Sequence, residues 1–97
     1  MTKAEIVNEI AEKTGVEKVA VQVTVEAFMN ALKENMEKGH NIYLRGFGSF
    51  VIKKRAAKTG RNISSNQPVH IPAHHIPSFK PAREFVDAVK ARVPVKG

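Results

Sequence analysis

Residues 53 to 75 carry the groups with which this chain could act on another molecule. Lys53, Lys54, Arg55 and Lys58 lead into Thr59-Gly60-Arg61-Asn62-Ile63-Ser64-Ser65-Asn66, and the chain returns through Val69, Ile71 and Ala73. Both flanks are extended in character and too rich in cations to be buried. The pattern therefore predicts a two-stranded ribbon standing away from any core. Its tip presents a cation, an amide and one apolar side chain, Arg61, Asn62 and Ile63. A protruding basic ribbon is suited to lying in a groove lined with phosphates.

Other chemistry is sparse. The acidic residues beyond position 37 are Glu84 and Asp87, three apart on a predicted helix, and they read as solvated charges. With no cysteine and no Ser–His–Asp arrangement, the residues do not point to an enzyme. His70, His74 and His75 could suggest a metal site. On one strand, however, His70 and His74 would share a face about 13 Å apart, too far to hold one ion. Pro72 also forbids the helix that would bring them together. Groove or phosphate contacts suit these histidines better, strengthened by protonation below about pH 6.5. No metal and no cofactor is expected. Gly46-Phe47-Gly48 has the start of a dinucleotide fingerprint, but no third glycine and no helix follow. Asn62-Ile63-Ser64 spells a glycosylation acceptor, yet Met1-Thr2-Lys3-Ala4-Glu5 lacks the apolar core of a secretion signal.

The elements that must hold the ribbon follow from period and charge. Thr2 and Glu5 have the spacing of a capping box, Ile6, Val7, Ile10 and Ala11 form an apolar stripe, and Gly15 suits a left-handed cap. Val19, Val21, Val23 and Val25 alternate like a strand. The longer series Val21, Val25, Phe28, Met29, Leu32 and Met36 instead predicts an amphipathic helix over 17–38, with a poor cap at Val16-Glu17 and its stripe serving as core or dimer face. Residues 41–52 read as two short strands joined by a tight glycine turn. Pro68, Pro72 and Pro77 fit a strand that lies on an edge. Pro81 suits the first position of a last helix bearing Phe85, Val86 and Val89, which Pro94 ends.

Charge divides along the chain. Residues 1–40 hold five Lys against seven Glu, a net of −2, and residues 41–97 hold eleven Lys or Arg against two acids, a net of +9. The basic half is the one fitted to a polyanion. With some twenty residues in a solvated ribbon, 97 residues leave little for a lone core, and an obligate dimer is expected. No apolar run approaches the length of a membrane span, and no aromatic residue lies between Lys53 and His75 to anchor in headgroups, so a cytoplasmic protein without a membrane partner is expected.

Gly46-Phe47-Gly48-Ser49-Phe50, Arg55-Ala56-Ala57-Lys58-Thr59-Gly60-Arg61-Asn62, and Ile71-Pro72-Ala73 through Ile76-Pro77-Ser78-Phe79-Lys80-Pro81 resemble the histone-like bacterial DNA-binding proteins, HU and integration host factor. The match covers nearly everything but the tail. It implies an α+β fold: an intertwined dimer with a helical base, a three-stranded antiparallel saddle and a long two-stranded β-ribbon arm per subunit. One domain, 1–97, would divide into a helical dimerisation base (1–40), saddle strands (41–52 and 76–81), the arm (53–75), a C-terminal helix (82–93) and a tail (94–97). The implied function is architectural: binding duplex DNA through the minor groove with little sequence specificity, bending it and compacting the bacterial nucleoid. A site-preferring integration-host-factor-like subunit and an RNA-binding protein are the alternatives.

The family's pattern transfers onto Lys53, Arg55, Lys58, Arg61 and Asn62 as arm contacts and onto Lys80 and Arg83 as saddle contacts to phosphate. After the Arg-Asn pair the family usually has a proline wedge. Here Ile63 stands in that place, itself among the apolar residues used for intercalation. The implied partners are double-stranded DNA, with bent, nicked or gapped duplexes preferred because they lower the cost of bending, and a second subunit, identical or different.

Overall fold

The computed structural model describes residues 1–61 and 67–95. Its elements run α1 (Lys3–Thr14), α2 (Lys18–Glu37), β1 (Ile42–Leu44), β2 (Gly48–Arg55), β3 (Lys58–Arg61), β4 (Pro68–Ile71), β5 (His74–Pro81) and α3 (Arg83–Arg92). The α+β class expected from sequence is the class observed, with a three-stranded antiparallel sheet ordered β1-β2-β5 and a two-stranded ribbon β3-β4.

α1 begins where its cap predicts. The Thr2 hydroxyl accepts the Glu5 N–H at 3.3 Å and donates to the Glu5 carboxylate at 3.2 Å, so the carboxylate steadies the capping hydroxyl. Gly15, at φ 75°, closes the helix with its N–H on the Ala11 carbonyl. α2 follows the long helical period rather than the local alternation of valines: Val21 is buried while Val19 and Val23 face solvent. No side chain caps its start. Its end is a left-handed cap at Gly39 (φ 90°), in which the N–H groups of Gly39 and His40 donate to the carbonyls of Met36 and Asn35. Val7 of α1 and Val21 of α2 are both buried, and Lys3 Nζ reaches Glu26 Oε1 at 2.9 Å from one helix to the other.

The glycine turn joins β1 to β2 through Arg45-Gly46-Phe47, with Gly46 at φ 82° and the Phe47 N–H on the Leu44 carbonyl. Beyond the Ile42↔Phe50 pair, the Asn41 side-chain oxygen accepts the Ile52 N–H at 2.9 Å. That N–H therefore points away from β5. Pro77, paired with Ile52, has its ring nitrogen on the open edge of β5, where no donor is needed. Pro81, four residues on and opposite Gly48, occupies the same kind of position. It closes β5 rather than opening the last helix as its sequence context suggested. α3 begins at Arg83 after Ala82, whose N–H is tied to the Phe47 carbonyl at 2.9 Å.

Pro72 also departs from the expected strand. The ladder of β2 with β5 ends at Arg55↔His74, and that of β3 with β4 begins at Lys58↔Ile71. Two residues on each side, Ala56-Ala57 and Pro72-Ala73, interrupt one ribbon without changing its register. Proline has no N–H for the ladder, which explains why the interruption falls there. Pairing also runs unbroken through Lys53 to Arg55, so the ribbon is an outgrowth of the sheet itself.

Where the sheet meets α3, Phe47, Phe50, Phe79 and Phe85 form one aromatic cluster, with centroids 4.8 Å apart for Phe50–Phe79, 5.2 Å for Phe47–Phe79 and 5.5 Å for the stacked Phe47–Phe85 pair. The chain alone encloses little more. Its radius of gyration is 18.8 Å, against about 13 Å for a compact chain of this length. Among the described residues the buried apolar side chains are Val7 and Val21, while Phe28 is 50% exposed and Val86 and Val89 line an open apolar groove with Phe79 and Phe85.

Candidate nucleic-acid interface

Strand side chains alternate between faces, so register decides which cations act together. On β2, Phe50 and Ile52 turn toward the aromatic cluster and Ser49, Val51, Lys53 and Arg55 turn away. Pairing sets Lys80, Ser78, Ile76 and His74 opposite those four, and β1 adds Tyr43 opposite Ser49. The outer face thus reads, row by row, Tyr43–Ser49–Lys80, Val51–Ser78, Lys53–Ile76 and Arg55–His74. Lys54 falls on the other face, opposite His75.

The sheet therefore brings Lys53, Arg55 and Lys80 of the expected residues onto one surface, spread over about 20 Å from the row of Lys80 to the row of Arg55. Lys58 stands in β3 opposite Ile71, three positions beyond Arg55 and so outside its alternating series, and the backbone of Arg61 ends that strand opposite Pro68. Asn62 and Ile63 lie outside the described residues. Arg83 stands on the first turn of α3, its side chain 95% exposed and only loosely engaged by Asp87 at 3.9 Å.

The strands that build this surface carry no carboxylate. No Asp or Glu occurs between Glu37 and Glu84. Among the described residues the ion pairs, Lys3–Glu26, Lys13–Glu9 and Arg83–Asp87, all lie on the helices. The cations of the sheet, among the described residues, are held in no ion pair. Hydroxyls of Tyr43, Ser49 and Ser78 stand among them, and Tyr43 is 70% exposed. Cations with interspersed hydroxyl donors are what phosphate oxygens accept from.

Tyr43, Ser49, Ser78 and Arg45 were not singled out from sequence. Ser49 could have been found by stepping back in twos from Lys53. Tyr43 could not, because its membership depends on cross-strand register. With Arg45, Ser49 and Lys80, Tyr43 lines an open cleft of about 350 Å³ at the end of the sheet. The histidines also separate. His70 lies on β4 opposite Thr59, His75 faces the cluster side, and His74 joins the outer face with its Nδ1 2.9 Å from the Pro72 carbonyl oxygen.

Residues 1–90 match the family model described as bacterial DNA-binding protein. The chain is 39% identical over 90 residues to the DNA-binding protein HU of Geobacillus stearothermophilus, covering 93% of this chain and all of that one. It is 37% identical over 90 residues to the protein of the same name from Thermus thermophilus, covering 93% of each. Among solved structures, the cocrystal of Anabaena HU with DNA superposes with a TM-score of 0.85 at 34% identity, covering 97% of this chain and all of that one.

Proposed function

The chain belongs to the bacterial DNA-binding protein family, and from that premise we propose that it is a non-catalytic, architectural protein that binds and bends double-stranded DNA as a dimer within the nucleoid. The observation that carries this reading is the outer face of the β2–β5 ladder. Lys53, Arg55 and Lys80 share it with three hydroxyls, and the ribbon beyond the interruption, in the same register, carries Lys58 and Arg61. Such a surface tracks a polyanionic backbone, and a narrow ribbon beyond it fits a groove. Asn62 and Ile63 are assigned to the tip contacts on sequence, Asn62 to the floor of the minor groove and Ile63 to a base step.

The need for a second subunit comes from what one chain leaves uncovered. Phe28, half of the aromatic cluster and the groove formed with Val86 and Val89 are apolar surface that a monomer would expose to water. Pairing two chains through the helices and this groove covers it and sets two ribbons on one side of the assembly. Dimer ribbons that close on a duplex favour DNA that is already bent, because unstacking and bending cost a few kcal/mol.

The test is a titration of linear, nicked and pre-kinked duplexes of equal length at two salt concentrations, with a bend measurement on each complex and duplex RNA as competitor. The expected order is kinked and nicked above linear DNA, with affinity falling steeply as salt rises and RNA competing poorly. Equal competition by duplex RNA, whose minor groove is wide and shallow, would overturn the assignment to DNA.

A further inference from the structure

His74 holds a position that makes its proton decisive. Its Nδ1 lies 2.9 Å from the Pro72 carbonyl oxygen. A carbonyl can only accept, so Nδ1 carries the hydrogen, and in the neutral ring Nε2 is left as a bare acceptor. Pro72 sits in the interruption between the two ladders, which is why its carbonyl is near enough to fix this tautomer. His74 is exposed and paired with Arg55 on the cationic outer face. A phosphate diester offers only acceptor oxygens. Neutral His74 has nothing at Nε2 to give it, whereas the imidazolium presents a charged N–H while keeping its bond to Pro72.

We infer that His74 is a proton-gated phosphate contact, through which the protein takes up protons as it binds duplex DNA and holds the duplex more tightly as pH falls. This inference rests on the DNA-binding reading. The charged groups around His74 are Arg55 directly across, Lys53 on the same face one row away, and Lys58 on the neighbouring ladder. Lys54 lies opposite His75 on the other face, and His70 stands opposite Thr59. No carboxylate is among them. The anion that stabilises an imidazolium at this place arrives with the DNA. Because the complex holds more protons than the free protein, lowering the pH drives binding.

The test compares duplex affinity at pH 8.5 and 6.0 at fixed ionic strength, and measures binding heat in two buffers of different ionisation enthalpy. The intact protein should bind about three- to tenfold more tightly at the lower pH for each arm engaged. It should also show net proton uptake. His74→Gln should bind equally at both pH values, and His74→Lys should lose the pH dependence while binding at pH 8.5 as the intact protein does at 6.0. A variant with His70→Gln and His75→Gln should retain the pH ratio of the intact protein. A pH dependence that survives His74→Gln, or an intact protein with none, would overturn the inference while leaving DNA binding in place. Absence of duplex binding at either pH would instead overturn the functional reading beneath it.

Discussion

Gly48 stands so close to Phe79 that a methyl group on its Cα would lie 2.6 Å from the ring carbon Cε1, 2.7 Å from Cζ and 2.6 Å from the Lys80 carbonyl oxygen. The bare backbone at Gly48 lets the Phe79 ring lie over the strand and reach Phe50 and Phe47. The same close approach lies beside the Ser49↔Lys80 pair that brings Lys80 onto the outer face. Because one of the obstructing atoms is backbone, a side-chain rotation alone cannot make room.

Gly48→Ala is therefore expected to destabilise the fold by about 1–3 kcal/mol, the range for forcing an extra carbon into a packed site. The midpoint of denaturant unfolding should fall with little change of slope. An unchanged midpoint would mean that the close approach of Gly48 and Phe79 does not exist in solution.

The cations of the ribbon make a separate prediction. If Arg55 and Lys58 each neutralise one phosphate, replacing both with Ala should flatten the log–log dependence of DNA affinity on salt by about 0.9 per lost contact, close to two for each bound arm. Lys54→Ala is the internal comparison, since Lys54 lies on the face away from Lys53 and Arg55. It should alter the slope less than either. Equal effects from Lys54 and Arg55 would show that the outer face does not select which cations touch the backbone.

The contrast between Lys54 and Arg55 also marks what could be read from the sequence. Capping at Thr2 and Gly15, the helical period along the 20 residues of α2, the glycine turn at Gly46 and the cationic ribbon are local signals, and local geometry realises them. Pro81 is ambiguous in the sequence because its fixed φ is compatible with both a helix start and an extended edge. Its pairing with Gly48, 33 positions away, decides the matter. Tyr43 and Ser78 reach the outer face by the same kind of long-range register, which no window along the chain contains. The interruption at Pro72 and the bond it makes to His74 depend on where two ladders stop.

Phe28 tests the assembly. It projects from the middle of α2 half-exposed, on a stripe too apolar to be left in water. If a second chain covers it, the thermal midpoint should rise with protein concentration, as expected when association and folding are linked. Phe28→Asp should then yield a largely unfolded or monomeric chain at micromolar concentration by sedimentation and circular dichroism. A folded monomer with an unshifted midpoint would rule out this helix as the seam.

The junction of α1 and α2 responds to pH in a defined direction. Hydrogen bonds from Lys3 and then Gln22, together with the charge of Lys3, hold the Glu26 carboxyl below its ordinary value. Its folded-state pKa is thus the lower one, so its contribution is present above the ordinary carboxylate range and is lost as pH falls through that range and below. The pair is half-exposed, so the effect is small. Lys3→Met should lower the thermal midpoint slightly at pH 7 and make no difference well below pH 4. A larger difference in acid than at neutrality would reverse the sign and exclude this pairing.

Ile63 is the residue at which the tip departs from the family pattern the sequence resembles. A wedge between base pairs needs an apolar surface that can replace stacking, which isoleucine supplies, and a backbone held at the right angle, which proline supplies better. Shortening the side chain should remove the first property and leave the cations of the ribbon untouched. Ile63→Ala is therefore expected to reduce the bend angle, and the preference for nicked over linear duplex, more than it reduces affinity for linear DNA. Ile63→Pro should restore or sharpen the bend, with a smaller spread of bend angles in single-molecule or energy-transfer measurements. If Ile63→Ala leaves both bend and preference intact while Arg55→Ala weakens binding, the duplex is held by the outer face alone and the tip does not enter the stack.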